Sequence, residues 1–204
     1  TQVGSSAASD VYKRQGLTLL QGNKIIFASH SERYSRIKGD KWIHPAMWPK
    51  SQRYQPDVVA YYERPFLKNL RRWYAGQKHQ KPRIKYDVNF GHHESHAAAG
   101  FYTSTFDECN VLVVDAIGEW DTISIWEGKN DKLKKIKSWK YPYSLGLLYS
   151  AITARLGLKP NEDEYITMGM AAYGEPRYDL EPLLMENNHR GARVIWKLSL
   201  IHIS

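Results

Sequence analysis

A strand–turn–strand plan occurs twice in this 204-residue chain, and such a duplication points to an architecture of two related halves. The first copy is Leu17-Thr18-Leu19-Leu20, then Gln21-Gly22-Asn23, then Lys24-Ile25-Ile26-Phe27-Ala28, a hairpin whose turn is supplied by Gly and Asn. The second is Thr122–Trp126, a turn across Glu127–Asn130, and Leu133–Trp139. An apolar strand, Val111-Leu112-Val113-Val114-Asp115, leads into the second copy and runs on into Ala116-Ile117-Gly118-Glu119. The matching place before the first copy falls within residues 1–15.

Between the copies, Asp57–Tyr62 has the pattern of a buried strand, and Pro65–Gly76 that of a short helix with Leu67, Leu70 and Trp73 on one face. Arg83–Phe90 is expected as a strand feeding a helix that starts at His92. After the second hairpin, Tyr143–Leu156 has helical apolar spacing, with Ser144 placed to cap it. Strands alternating with helices predict a layered α/β fold.

The chemistry is concentrated in His92-His93-Glu94-Ser95-His96-Ala97-Ala98-Ala99-Gly100 and in the Val111–Glu119 segment. On a helix, His92 and His96 stand one turn apart on one face. Two imidazoles and a carboxylate from another element, Asp115, suit one divalent ion with positions left open for a ligand. The same spacing also belongs to a half-exposed helix face. His93 points elsewhere, either into solvent or behind the ligands. Glu94 lies between the pair, but zinc proteases place Glu next to the first His, so that reading is weak. A strand ending in Asp-x-x-Gly can bring backbone N–H groups close to phosphate, as Asp115 to Gly118 would.

The formal charge is +8, gathered in Arg33-Arg36-Lys38-Lys41, Lys68-Arg71-Arg72, Lys78-Lys81-Arg83-Lys85 and Lys132-Lys134-Lys135-Lys137. Basic residues among Tyr and Trp could hold nucleic acid, but they alternate with apolar residues as exposed faces do, and no nucleic-acid motif accompanies them. Hydrophobic residues make up 42%, enough for a core. No apolar run reaches the roughly 20 residues of a membrane span. The single cysteine, Cys109, excludes an intrachain disulfide, fits a reducing, cytoplasmic setting and is expected before the Val111 strand as buried filler and not a nucleophile. Residues 1–15 and 198–204 resemble translated sequencing-adapter DNA and are set aside as non-native, leaving residues 16–197 as a piece of a longer protein.

Five segments, GNKIIFASHSERYSRIKGD, HHESHAAAGFYTSTF, VLVVDAIGEWDT, YSLGLLYSAITARLGLKPNEDEY and ITMGMAAYGEP, together resemble the N-terminal domain of the NodU/CmcH-type carbamoyltransferases, from Gly16 to about Tyr178. The resemblance implies an actin-like/sugar-kinase (ASKHA, ribonuclease H-like) α/β fold, present in part, with two hairpin-containing halves. It implies transfer of a carbamoyl group from carbamoyl phosphate to a hydroxyl of a small molecule or glycan, in secondary metabolism or glycan modification. The route runs through ATP and a carbamoyl-adenylate made in a C-terminal YrdC-like domain. His92, His96 and Asp115 match the family's metal ligands, which implies Fe(II) or a similar ion beside the nucleotide phosphates.

Gly118 and Glu119 match the neighbouring loop. Gly118 would let backbone approach phosphate, and Glu119 would orient the site or be a solvated loop acid. Glu32, Arg33 and Arg36 match the EER-[FY]-[ST]-R segment, with Ser31 where the family has an acid, and a structural ion-pair cluster is the favoured role. Glu162, Asp163, Glu164, Met168 and Gly169 match DEYKVMG, with Ile166 where a lysine is usual. Gly169 and Gly174 would permit close backbone packing near the nucleotide, or serve turns. The family's first strand, with its histidine- and aspartate-bearing loop, is expected to be absent or overwritten by residues 1–15, and a further ligating aspartate is expected past the end of the chain. The implied fragment would not turn over by itself. Two other readings stay open: a threonylcarbamoyl-transfer ATPase acting on transfer RNA, and a basic nucleic-acid-binding module.

Overall fold

Alternation along residues 16–30 puts Leu17 and Leu19 on the inner side of a hairpin formed by β2 (Gly16–Gln21) and β3 (Lys24–His30). The chain reverses at Gly22, whose φ of 60° lies in the left-handed region where a side chain is disfavoured. The computed structural model describes residues 2–4, 16–37, 40, 43–47, 56–76, 78 and 85–177, with backbone alone for 2–4. The chain divides into two units, residues 1–103 and 104–204.

In the first unit, β1 (Gln2–Gly4) runs antiparallel to β2 and parallel to β4 (Val58–Tyr61), and β5 (Val88–Asn89) continues the sheet parallel to β4. The strand order is β3-β2-β1-β4-β5. Helix α1 (Glu32–Ser35) follows β3. Leu17, Leu19 and Met47 form the buried core, flanked by Ile26, Phe27, Tyr34 and Ile43. Side chains of this kind contribute about 1.5–3 kcal/mol each when fully buried. Met47 arrives on a short 3-10 turn, Pro45–Met47, held in place by Ser31: its hydroxyl accepts the His44 N–H at 3.0 Å and reaches Met47 Sδ at 3.4 Å.

Parallel β4 and β5 need a crossover, and α2 (Pro65–Tyr74) lies in it, with Pro65 in the first turn where its missing N–H costs nothing. The helix forms over nearly the expected span, but of the apolar face only Leu67 is partly buried. Leu70 and Trp73 are 43% and 75% exposed, while Arg71 and Arg72 are buried. Arg72 Nε donates to the Lys78 carbonyl at 2.8 Å, so its aliphatic stem is covered while its head is satisfied. The strand expected over 83–90 is also shorter. Residues 83 and 84 lie outside the described residues, and the ladder is held to β5. The Asp87 carboxylate takes the Val59 N–H at 2.7 Å and its own N–H bonds Val59 O, so a side chain occupies a place in the pairing. Strand β4 is half-buried rather than fully buried, apart from Tyr61. Helix α3 (His92–Tyr102) follows β5.

The second unit is built on an antiparallel meander, β6 (Glu108–Gly118), β7 (Asp121–Lys129) and β8 (Lys132–Lys140), followed by α4 (Leu145–Arg155) and α5 (Glu164–Ala171). Cys109, expected as buried filler before the Val111 strand, is half-buried within β6 itself. Strand β7 alternates strictly, burying Thr122, Ser124, Trp126 and Gly128. The second hairpin turns later than expected, at Asn130-Asp131. Asn130 has a φ of 54° and donates its N–H to Asp107 O, which frees Gly128 to stay in the ladder between Cys109 and Leu133. Helix α4 starts where predicted, with Ser144 Oγ accepting the Leu147 N–H at 3.0 Å. Polar pairs join α4 to α5: Thr153 to Thr167 at 2.9 Å and Ser150 to Glu164 at 2.7 Å. Both units are mixed α/β with small sheets, as the sequence pattern predicts.

Candidate metal centre

His92 opens α3 directly after β5, at the carboxyl end of a parallel strand, where open α/β sheets place their ligand sites. The helix is short of bulky residues, and Ala97 is fully buried. Glu94, at the third helical position, accepts the Gly91 N–H at 3.0 Å and pairs with Arg64 at 3.7 Å. That carboxylate makes the glutamate half of a capping box and complements the positive end of the helix dipole. With that oxygen so engaged, Glu94 has a structural task at the helix start.

His92 and His96 face each other as the one-turn spacing predicts. Their Nε2 atoms are 3.2 Å apart, with ring planes at 70°. Nitrogens bound at about 2.0–2.1 Å to one ion stand about 2.9–3.4 Å apart for angles between octahedral and tetrahedral. The observed separation falls in that interval, so the spacing of the pair suits one divalent ion. At 3.2 Å the two nitrogens share either a proton or an ion. His92 is 6% exposed and His96 half-buried, which leaves one side approachable. His93, one of whose expected places was solvent, is instead buried at 2%.

The sequence did not single out what steadies this turn. Ser95 Oγ lies 2.9 Å from Tyr62 O and 3.1 Å from Gly91 O, tying the loop after β4 to the first turn of α3. The Tyr62 ring sits 6.1 Å from that of His92. The available signal was a serine one residue before the second histidine, too common a pattern to be read alone.

In the second unit, Asp115 stands where β6 leaves regular pairing. Val114 pairs with Ile123 and Gly118 with Asp121, so Asp115, Ala116 and Ile117 oppose Thr122 alone. Bulges of this kind re-aim a side chain beside functional sites. The Asp115 carboxylate accepts the Ala116 N–H at 2.7 Å. Gly118 is buried in the last pair before a two-residue turn, Glu119-Trp120, and Glu119 adopts a φ of 50°. Gly169 lies on α5, where an added Cβ would meet nothing within 4 Å among the described residues. Packing within the unit does not demand a glycine there. Glu164 accepts from Ser150 Oγ and Asn161 N, and Asp163 from Lys159 N, so these acids hold the α4–α5 corner. Gly174 lies in the irregular stretch after α5. At the end of β3, Arg33 Nε bonds His30 Nε2 at 3.2 Å and His30 Nδ1 is 3.9 Å from Glu32, so a histidine stands between the expected partners. Arg36 adopts a φ of 59° at the close of α1.

A family model described as Carbamoyltransferase N-terminus matches residues 59–193, well over half of the chain. The chain belongs to this family. Its relatives include an uncharacterized protein of Synechocystis sp., 52% identical over 87 residues, and an uncharacterized protein of Methanocaldococcus jannaschii, 32% identical over 126 residues. Nodulation protein NolNO of Sinorhizobium fredii is 35% identical over 85 residues. These alignments cover 43%, 54% and 42% of this chain but 14%, 21% and 12% of the relatives, so the chain spans a small part of their length. The matched region contains α3, β6 and the bulge, and so contains every residue of the candidate site.

Proposed function

We propose that this chain is part of the N-terminal domain of an O-carbamoyltransferase, with His92, His96 and Asp115 holding one divalent ion, Fe(II) in the leading reading. The observation that carries the proposal is the 3.2 Å approach of the His92 and His96 Nε2 atoms in a member of the carbamoyltransferase family. The fold reading is the actin-like/sugar-kinase (ASKHA) class in two related halves. Two features support it: β2 is the one described strand running against the others in the first sheet, and an antiparallel meander recurs in β6-β7-β8.

The substrates proposed are carbamoyl phosphate, ATP and a hydroxyl-bearing small molecule or glycan, with a YrdC-like C-terminal domain forming the carbamoyl-adenylate in the cytoplasm. The acceptor hydroxyl oxygen then bonds the carbamoyl carbon as the carbon–oxygen bond to AMP breaks and the hydroxyl proton passes to solvent. Bound at this site, the ion supplies positive charge against phosphate oxygens. The chain's own residues do the rest. His92 and His96 would contribute imidazole nitrogens from a helix turn pinned by Ser95, and Asp115 its carboxylate. Gly118, Glu119 and Gly169 are the proposed nucleotide-side positions, Gly118 and Gly169 because neither interposes a side chain. No helix among the described residues is long and apolar enough to cross a membrane.

The test compares wild-type full-length protein with His96→Ala for bound metal, carbamoyl-adenylate formation and transfer. The proposal expects metal and transfer to be lost while adenylate formation survives. Unchanged metal content and transfer would return the two histidines to an ordinary helix face.

A further inference from the structure

We infer that Ser144 and Gly146 are positioning residues for Asp115, clamping the bulge that aims its carboxylate; this rests on the reading of Asp115 as a metal ligand. A bulge removes backbone groups from the ladder, and a half-buried carbonyl without a partner is costly. Ser144, 1% exposed, closes that gap. Its hydroxyl donates to Ala116 O at 2.6 Å, with Asp115 O at 3.4 Å, while its oxygen accepts the Leu147 N–H that starts α4. One buried hydroxyl therefore fixes both the helix start and the displaced strand. Thr122, the residue opposite the bulge, is fully buried with its hydroxyl against the Trp139 and Tyr143 carbonyls. The strand cannot relax toward β7 without disturbing that residue.

Gly146 makes the clamp possible. A Cβ at this position would lie 2.7 Å from Ala116 N and Cα and 3.0 Å from the Asp115 carbonyl carbon. These are backbone atoms, so no side-chain rotation relieves the clash. Even alanine must push the first turn of α4 and the Asp115–Ala116 peptide apart. The glycine is thus required by close approach and not by a turn, since it lies inside α4.

The test uses full-length protein carrying Gly146→Ala, Ser144→Ala and, as a structural control at the far end of α4, Thr153→Ala. Dissociation constants for Fe(II) and Co(II) are measured by chelator competition well below each melting transition, with the Co(II) absorption spectrum recorded. Gly146→Ala and Ser144→Ala are expected to weaken metal binding by roughly 10–100-fold, the usual effect of losing a residue that orients a ligand, and to shift the Co(II) bands. Thr153→Ala is expected to lower the melting temperature while leaving affinity and spectrum unchanged. Should Gly146→Ala fail to fold, Ser144→Ala with the Thr153→Ala control decides. Asp115→Asn separates the two ideas. If it loses metal while both clamp variants bind as wild type, the clamp is wrong and the ligand assignment stands. If Asp115→Asn binds metal as wild type, the ligand assignment itself fails, and the clamp inference with it.

Discussion

Glu63 and Lys68 form an ion pair in which both side chains are largely withdrawn from water, 7% and 12% exposed, with Nζ 2.5 Å from Oε1. Tyr61 Oη adds a longer contact to the same oxygen. Two charges removed from water attract strongly, yet their desolvation offsets much of the gain, so such a pair shows its strength when one partner is deleted. Lys68→Met is expected to destabilise the protein by about 3–5 kcal/mol, and Glu63→Leu with Lys68→Met together by far less. A urea-denaturation cycle over the four proteins checks this; two single variants with additive effects would show that the charges are not coupled. The pair was invisible in the sequence because the partners straddle the start of α2, five positions apart, off the helical i, i+4 spacing. His92 and His96 were legible for the converse reason. One regular helix sets their geometry, whereas the burial of His93 depends on what packs over another face, which the sequence does not state.

At the scale of elements, local signals were legible where a backbone need selects a residue. Ser144 caps α4 as predicted, and Gly22 turns the first hairpin. Glu119 goes the other way: a residue with a side chain in left-handed backbone, φ 50°, at a tight turn that glycine would serve better. An L-residue in that conformation costs about 1–2 kcal/mol, partly offset because glycine gains more freedom when unfolded. Glu119→Gly is therefore expected to raise stability by up to about 1 kcal/mol, read as a higher urea midpoint at constant m. If Glu119 orients the site, transfer falls in the same variant; a lower midpoint would show that the side chain stabilises the turn by contacts of its own. Pattern reading placed α2 but not its buried face, for a physical reason. Apolar periodicity marks a face but not its partner, and here the aliphatic stems of Arg71 and Arg72 are buried while Phe66, Leu70 and Trp73 face outward among the described residues.

Net charge belongs to the whole molecule, and the +8 balance left a nucleic-acid reading open. The placement of the lysines on β8 gives the charge another use. Strand β8 is an edge of its sheet among the described residues, and Lys132, Lys134, Lys135, Lys137 and Lys140 populate it. Lysines on an edge strand discourage pairing with a second sheet, because each added strand must desolvate and crowd like charges. Two of them are further occupied: Lys135 pairs with Asp121 at 2.8 Å and lies over the Trp126 ring, and Lys137 lies over Trp139. A surface arranged for edge protection would hold nucleic acid through phosphate attraction alone. Its affinity should then stay within the non-specific range of about 10⁻⁴–10⁻⁶ M near physiological salt and fall steeply as salt rises. Titrating the full-length protein with a labelled single-stranded oligonucleotide across salt concentrations tests this, with and without chelator. Binding in the nanomolar range that ignores both chelator and His96→Ala would favour the nucleic-acid module. In the same titration, Lys134→Thr with Lys137→Thr is expected to change oligonucleotide affinity only within the non-specific range while increasing light scattering on concentration, because the edge then lacks two of the charges that keep copies apart.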